Sequence, residues 1–496
     1  MTATLPVERP ITAPGRTARR WPDAGLGVLV GGALAFIAAR PLVDNSFLTH
    51  LATGRVMLDS GLPATNPFLY SSSEFPIPSW FWSAVLGVTD ELAGGTGLRV
   101  LTSAIAAALG LVIVRLTRPS AVVGAAGGAA VGGAAGERTL LSVLLPVACA
   151  LITLMPFVNA RPQLPGYLLL ALTVLVVGER RSVWWLVAVF ALWVNVHGTW
   201  FYGIAVLALL VAAQAIDDRR VAARQIGWVG AALGGVLLGG LAQPRSFETV
   251  LLPIEQFGDE RSREALSRYV EWQPAGFAHP LTWLLVAMGL VAVVGAVRAR
   301  RWGVLVGSAG LFAMGLSAGR LLPLAAITLV PWVADGVRSM QGVSLPGDRV
   351  QRVLAGVGVA FGVAALAWSI ATPAYDLSPY PVTAVDWLEA RGLAGDTQVK
   401  VLTHDFAGNY LDWRFEDRAN TFVDDRPGAE ASIDYSKMLY SEDGWQDSLD
   451  RADADVVIWR TEDPLASELS EPGWYRAGEF GEFTVICRSS IAVRCR

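Results

Sequence analysis

Residues 43–82 read VDNSFLTHLATGRVMLDSGLPATNPFLYSSSEFPIPSWFW. The stretch lies between two long apolar runs. It opens with Asp44, at the exit of the first run. It continues as a half-polar helical pattern carrying His50 and Arg55, then as a loop punctuated by Gly and Pro. A carboxylate at a membrane boundary is costly and marks a functional site. An acid just before a helical pattern is also a normal N-cap. For Asp44 both readings stand, and both can hold at once.

The flanking sequence has the composition of a membrane protein. The chain has 496 residues, 53% of them hydrophobic and 17% charged, with mean hydropathy +0.45. That is more apolar than an average soluble protein. The net charge of −4 points to no particular partner, and no long basic run suits nucleic acid. Cys149 lies in an apolar run. Cys487 and Cys495 lie near the C-terminus, where one disulfide is possible if that region is extracytoplasmic. Cys and His show no metal-ligand spacing.

Apolar runs predict eleven spans, at 24–43, 97–117, 139–156, 163–178, 183–197, 199–215, 226–243, 279–297, 302–317, 320–335 and 353–372. Arg clusters mark alternate connections: Arg16 to Arg20, Arg115 with Arg118 and Arg138, Arg180 with Arg181, Arg219 with Arg220, Arg298 to Arg301, and Arg338 to Arg352. The positive-inside rule places these in the cytoplasm, so the chain sits in the plasma (inner) membrane as a multi-pass protein. A cytoplasmic tail, 1–23, then precedes a membrane domain, 24–375, whose first outer loop is 44–96. Residues 376–496 fall outside. This parity requires 79–94, with Asp90 and Glu91, to lie flat at the outer surface. It also requires the Gly/Ala run 121–135 to be a loop.

The outer face collects the polar features: the 44–96 loop, NARPQ (159–163), NVHG (195–198), the loop 244–278, the turn at Gly319-Arg320 and the C-terminal region. Arg161, His197 and Arg320 stand at span ends, where a charge also snorkels to water without any further role. After Tyr380 the composition becomes that of a soluble domain. PVTAVDWLEARG, GNYLDWRF, DGWQDSLDRA and DPLASELS read as helices. QVKVLTH, ANTFVDD and DVVIW read as strands, and YRAGEFGEFTVICR as a hairpin around Gly481. Alternating strands and helices predict an α/β domain with a mainly parallel sheet. Neither GxGxxG nor a Walker loop is present. Asp424-Asp425 reads as a solvated turn in preference to a metal pair, and His404-Asp405 carries the same two readings.

The order of these segments resembles bacterial membrane glycosyltransferases of the GT-C class. The resemblance rests on DNSFLTHLATGRVMLDSGLPATNPFLY (44–70), ARPQLPGYLL (160–169), WVNVHGTWFYG (193–203), VEWQP (270–274), AGRLLPL (318–324) and DFAGNYLDWRF…NTFVDDRPG (405–428), and so covers most of the chain. It implies a polytopic helical bundle with an extracytoplasmic α/β domain. It implies inverting transfer of a sugar from a polyprenyl-phosphate donor to an envelope acceptor at the outer face. Asp44 matches the expected general base, and Arg161 and Arg320 are positioned to meet the donor phosphate. His50, Glu74, His197 and Glu271 are the other outer-face candidates. No cofactor is implied, and a divalent metal is left open. The chain departs from the pattern in PIPSWFWSAV, which lacks the usual acid or His, and in Asn66-Pro67-Phe68, where relatives carry an acid. Those losses keep a second reading in view: a non-catalytic lipid-binding or assembly scaffold of the same fold. Transport is disfavoured, because no span carries a central acid and no inverted repeat is visible.

Overall fold

The computed structural model describes residues 23–119, 139–338, 344–426, 428–469 and 473–496. The N-terminal tail with its Arg cluster and the Gly/Ala run at 121–135 lie outside the described residues. The helical part runs α1 (Ala24–Ala38), α2 (Asn45–Ser60), α3 (Trp80–Leu116), α4 (Leu140–Leu154), α5 (Gln163–Gly178), α6 (Trp184–Val196), α7 (Trp200–Asp218), α8 (Ala223–Gly240), α9 (Phe247–Gly258), α10 (Glu260–Ser267), α11 (Pro280–Arg298), α12 (Trp302–Ser317), α13 (Leu322–Arg338) and α14 (Asp348–Ala371). A helix overlaps each of the eleven apolar runs, though not always to its expected bounds. Among the described residues, six stretches are long and apolar enough to cross a membrane: Trp80–Leu116, Leu140–Phe157, Trp200–Asp218, Pro280–Arg298, Gly319–Arg338 and Asp348–Ala371. The other five fall short of that length or apolarity. At 1.5 Å per residue, the 15 residues of α1 reach about 22 Å against a ~30 Å hydrocarbon core.

The first outer loop is built on contacts its sequence foreshadows. Asp44 caps α2, its Oδ1 accepting from Phe47 N at 3.3 Å. The helix ends at Gly61, whose φ of 81° favours glycine. Glycine also sets how closely α2 lies on α3: a Cβ on Gly54 would sit 2.0 Å from Ser83 O. Asn66 has a local role. Its Oδ1 accepts from Phe68 N at 3.0 Å and Leu69 N at 3.1 Å, an Asx turn that an amide makes as well as a carboxylate. Gly94, with φ 58° and ψ −160°, breaks α3 into the segment expected at the surface and the span after it. Beyond the break, the fully buried Arg99 donates to Ala39 O at 2.7 Å, Ser369 O at 3.2 Å and Thr372 O at 3.1 Å. It thereby satisfies carbonyls freed at the ends of α1 and α14.

The C-terminal part contains α15 (Val382–Glu389), β1 (Val401–Thr403), α16 (Asp405–Phe415), α17 (Ala429–Tyr440), α18 (Trp445–Ala452), β2 (Val456–Arg460), α19 (Pro464–Glu468), β3 (Trp474–Phe480) and β4 (Phe483–Arg488). The sheet order is β1-β2-β4-β3. Only β1–β2 is parallel; β2–β4 and β4–β3 are antiparallel. The expectation of a mainly parallel sheet is therefore corrected. The hairpin turning at Gly481 (φ 65°) brings β4 back alongside β2 in the opposite sense. ANTFVDD is not a strand of this sheet. Thr421 is threaded between Leu69 and Val401 by single bridges, with Thr421 N donating to Phe68 O at 2.8 Å and Tyr70 N to Thr421 O at 3.0 Å. Cys487 and Cys495 form a disulfide, the pairing their positions left possible. The domain docks on α2 through α16 and on α10 through α17.

Candidate functional site

Four residues drawn from four separate motifs meet at the start of α2. Arg161 Nε donates to Asp44 Oδ1 at 2.5 Å, and its Nη2 donates to Asn45 Oδ1 at 2.8 Å. Arg161 Nη1 reaches Glu271 Oε2 at 3.5 Å, and Arg320 Nη1 reaches Glu271 Oε1 at 3.1 Å. Arg320 also lies over the Trp272 ring, 4.2 Å from its centroid. Asn159 Nδ2 donates to Asp44 Oδ2 at 2.9 Å. Both Asp44 oxygens are thus oriented, and Asp44 is at once helix cap and member of a charge network. Arg161 follows the 155–157 turn and precedes α5; Arg320 sits in the 319–321 turn before α13. Each guanidinium is thus placed where a helix begins and the chain emerges from the bundle.

Asp44 lines a cavity of about 390 Å³. One side is the loop after α1, with Arg40, Pro41 and Leu42. Another is the 156–160 turn. The third is the C-terminal domain, through Pro379, Tyr380, Phe406 and Arg460. Tyr380 is fixed by donating to Val43 O at 3.0 Å and by stacking on Tyr410 at 5.4 Å. The α/β domain therefore supplies one wall of the space beside Asp44.

The remaining expected residues divide. His50 is buried, with Nδ1 3.1 Å from Ser83 Oγ. Burial, then the charges of Arg426 and Arg161, lower its pKa to about 3, so it is neutral. His50 is spent on the α2–α3 contact. His197 ends α6 and turns back on Thr199 Oγ1 at 2.8 Å, closing the turn into α7. Glu74 is exposed, and its carboxylate makes no hydrogen bond or ion pair among the described residues. It does not join the Asp44 network.

Asp424-Asp425 is not a solvated turn, which corrects the sequence reading. Asp424 is fully buried and paired with Arg426 Nη2 at 2.8 Å, while Arg426 Nη1 donates to Thr53 Oγ1 at 2.8 Å. Asp412, also fully buried, is held well above the carboxylate range by burial and by the charge of Asp424. Asp425 N donates to Asn409 Oδ1 at 3.0 Å, and Asn409 Oδ1 also accepts from Thr49 Oγ1. Burial, then Asp424, push Asp425 up to about 7, against the pull of Arg426, Ser46 and Arg161. These acids latch the C-terminal domain to α2. The signal for them was the third residue of the DDR triplet, an arginine that can enter a core only with partners. Among the described residues, no group of three His, Cys, Asp or Glu could hold a metal ion.

No family model matches the chain, and no curated protein matches it. Among solved structures, it is similar to the archaeal oligosaccharyltransferase AglB from Archaeoglobus fulgidus in complex with an inhibitory peptide and a dolichol-phosphate. That likeness has 10% identity and a TM-score of 0.49, over 94% of this chain and 74% of that one. It is also similar to the Archaeoglobus fulgidus oligosaccharyltransferase in complex with Zn and sulfate, with 10% identity and a TM-score of 0.48, over 88% of this chain and 68% of that one.

Proposed function

We infer that the chain is a membrane glycosyltransferase of the GT-C type, moving a sugar from a polyprenyl-phosphate donor to an envelope acceptor. The observation that carries this reading is Asp44 facing a cavity shared between the helical bundle and the α/β domain, with Arg161 and Asn159 fixing its two oxygens. In the reaction, the acceptor hydroxyl oxygen attacks the anomeric carbon and its proton passes to the Asp44 carboxylate. The bond from the anomeric carbon to the phosphate oxygen breaks, and its electron pair leaves on the lipid phosphate. Attack opposite the leaving group inverts the anomeric centre. The donor phosphate approaches Arg161 and Arg320, taking the place of Glu271, which is 40% exposed and so free to swing away. The C-terminal domain lies on the extracytoplasmic side. The Arg-rich connections support that placement, as does the Cys487–Cys495 disulfide, because such bonds persist in oxidising compartments.

The test is Asp44→Asn at matched protein level in a deletion strain, read by mass spectrometry of envelope glycoconjugates. An amide keeps the cap but takes no proton, so transfer should fall about 10²–10⁴-fold while the protein stays inserted. Full rescue by Asp44→Asn removes the base and leaves the scaffold reading.

A further inference from the structure

Several arginines around the Asp44 region end on carboxylates. Arg55 pairs with Asp90, Arg161 with Asp44, Arg320 with Glu271 and Arg426 with Asp424. The two arginines that line the cavity beside Asp44 do not. Arg40 makes one side-chain hydrogen bond among the described residues, from Nη2 to Val158 O at 3.2 Å. Arg460 lies over the Phe406 ring, 5.3 Å from its centroid, and its Nε is buried with no partner. Neither has a carboxylate within 4.0 Å among the described residues. Among the described residues, the only acid on the cavity wall is Asp44, whose charge is already met by Arg161. Asp463 meets the charge of Arg460 only from beyond 4.0 Å, so both guanidiniums face the cavity without a direct carboxylate partner, and one of their donors is buried with no acceptor.

We propose that this cavity is the acceptor pocket and that it takes a hydroxyl-bearing phosphate ester, its phosphate held by Arg40 and Arg460. Two guanidiniums match the charge of a phosphate monoester, and the planar fork of arginine suits its oxygens. The space of about 390 Å³ exceeds what a phosphate group fills. The remainder is walled by Pro41, Pro379, Tyr380 and Phe406, against which the organic part of the ester packs. The hydroxyl of an ester held there meets Asp44 on the same cavity wall, while Arg161 and Arg320 are not part of that wall. Phosphate binding stands on the cavity alone; the acceptor role rests on the transfer reading.

The phosphate can arrive on a lipid or in solution, and the probes separate these. The full-length protein in detergent micelles is titrated with glycerol 3-phosphate and, separately, with lysophosphatidic acid, both of which carry a free hydroxyl. At least one should bind saturably, and added salt should weaken it. Arg40→Gln and Arg460→Gln should each weaken binding at least tenfold, while Arg261→Gln, at an exposed ion pair with Glu430, should bind as the parent does. Arg40 is exposed, so its variant folds even if that of Arg460 does not. Asp44→Asn should still bind the ester, so a failed transfer reading and a failed pocket give different results. Binding by only the lipid probe, or only the soluble one, identifies the source. No binding by either at millimolar concentration, or binding that both substitutions leave unchanged, overturns the proposal.

Discussion

Replacing Arg426 by leucine should loosen the whole platform on which Asp44 stands. The guanidinium gives Asp424 two hydrogen bonds, from Nε at 3.1 Å and Nη2 at 2.8 Å, and gives Thr53 a third at 2.8 Å. It also lies 5.0 Å from the Phe75 centroid and 5.3 Å from that of Phe68. Its loss leaves a fully buried carboxylate without its counter-ion, beside a second buried acid. Removing one partner of such a pair costs about 3–5 kcal/mol. Relief by protonation is no cheaper at pH 7: neutralising a carboxyl group of ordinary pKa ~3.9 costs about 4 kcal/mol. Leucine fills part of the space between the two rings, so packing loss adds little. The reporter is amide exchange at Thr421, whose N–H donates to Phe68 O at 2.8 Å in the loop after α2 and is released when the domain lifts away. Its opening free energy in Arg426→Leu should fall by about 3–5 kcal/mol, and the deficit should shrink as the pH is lowered towards 5. A fall below about 1 kcal/mol, or one independent of pH, would show that the acid latch does not hold domain and helix together.

Asp425→Asn should stabilise the protein at alkaline pH. The folded-state pKa of the native acid is raised to about 7, so between roughly pH 4 and 7 the folded form binds the extra proton. The variant's advantage should then be largest above pH 7 and decline by about 1.4 kcal/mol per pH unit below it; an equal advantage at pH 4.5 and pH 8 refutes this. His404 shows the opposite sign. Burial and then Arg460 depress its pKa to about 3, so its contribution is intact above pH 6.5 and lost as pH falls towards 3. His404→Gln should flatten the acid limb of the unfolding curve. Gly54→Ala forces a Cβ against Ser83 O and should cost about 1–3 kcal/mol in thermal unfolding. Gly230→Ala, which meets open space within α8, should be neutral or stabilising in the same assay.

Sequence pattern located the helices because each expected span carries its own apolar run, and burial in lipid or protein needs nothing more. It located Asp44, Arg161, Glu271 and Arg320 as separate motif residues. Their union in one network depends on α5, α13 and the 270–272 turn converging, which no local pattern encodes. The acid latch was misread for a related reason. Two aspartates after a β-rich segment look like a solvated turn until Asn409, Thr49 and Thr53 arrive from distant elements. ANTFVDD has strand composition, yet its Thr421 is claimed from both sides by Phe68 and Val401, so it serves as a strap and not as a sheet member. Arg40 and Arg460 were invisible as a pair: one looks like a span-end cation and the other like a strand end, and only the docked domain brings them to one cavity.

The joining of α1 to α14 has a consequence for how the protein is made. Gly25 and Gly32 lie directly on Gln351 and Gly358, where a Cβ would fall 1.8 Å and 2.0 Å from backbone oxygens, and Arg99 clasps the carbonyls at both helix ends. Leu42 N then donates to Ala374 O at 2.8 Å. Helix α1 therefore carries a glycine groove cut for α14. More than 300 residues separate the two sides of that contact, so it closes only after the intervening chain, with the Asn159 and Arg161 that hold Asp44, is made. A nascent chain stopped before α14 therefore lacks the partner that packs on α1 and the tie from Leu42 to Ala374, and the cavity beside Asp44 is walled in only as the α/β domain docks.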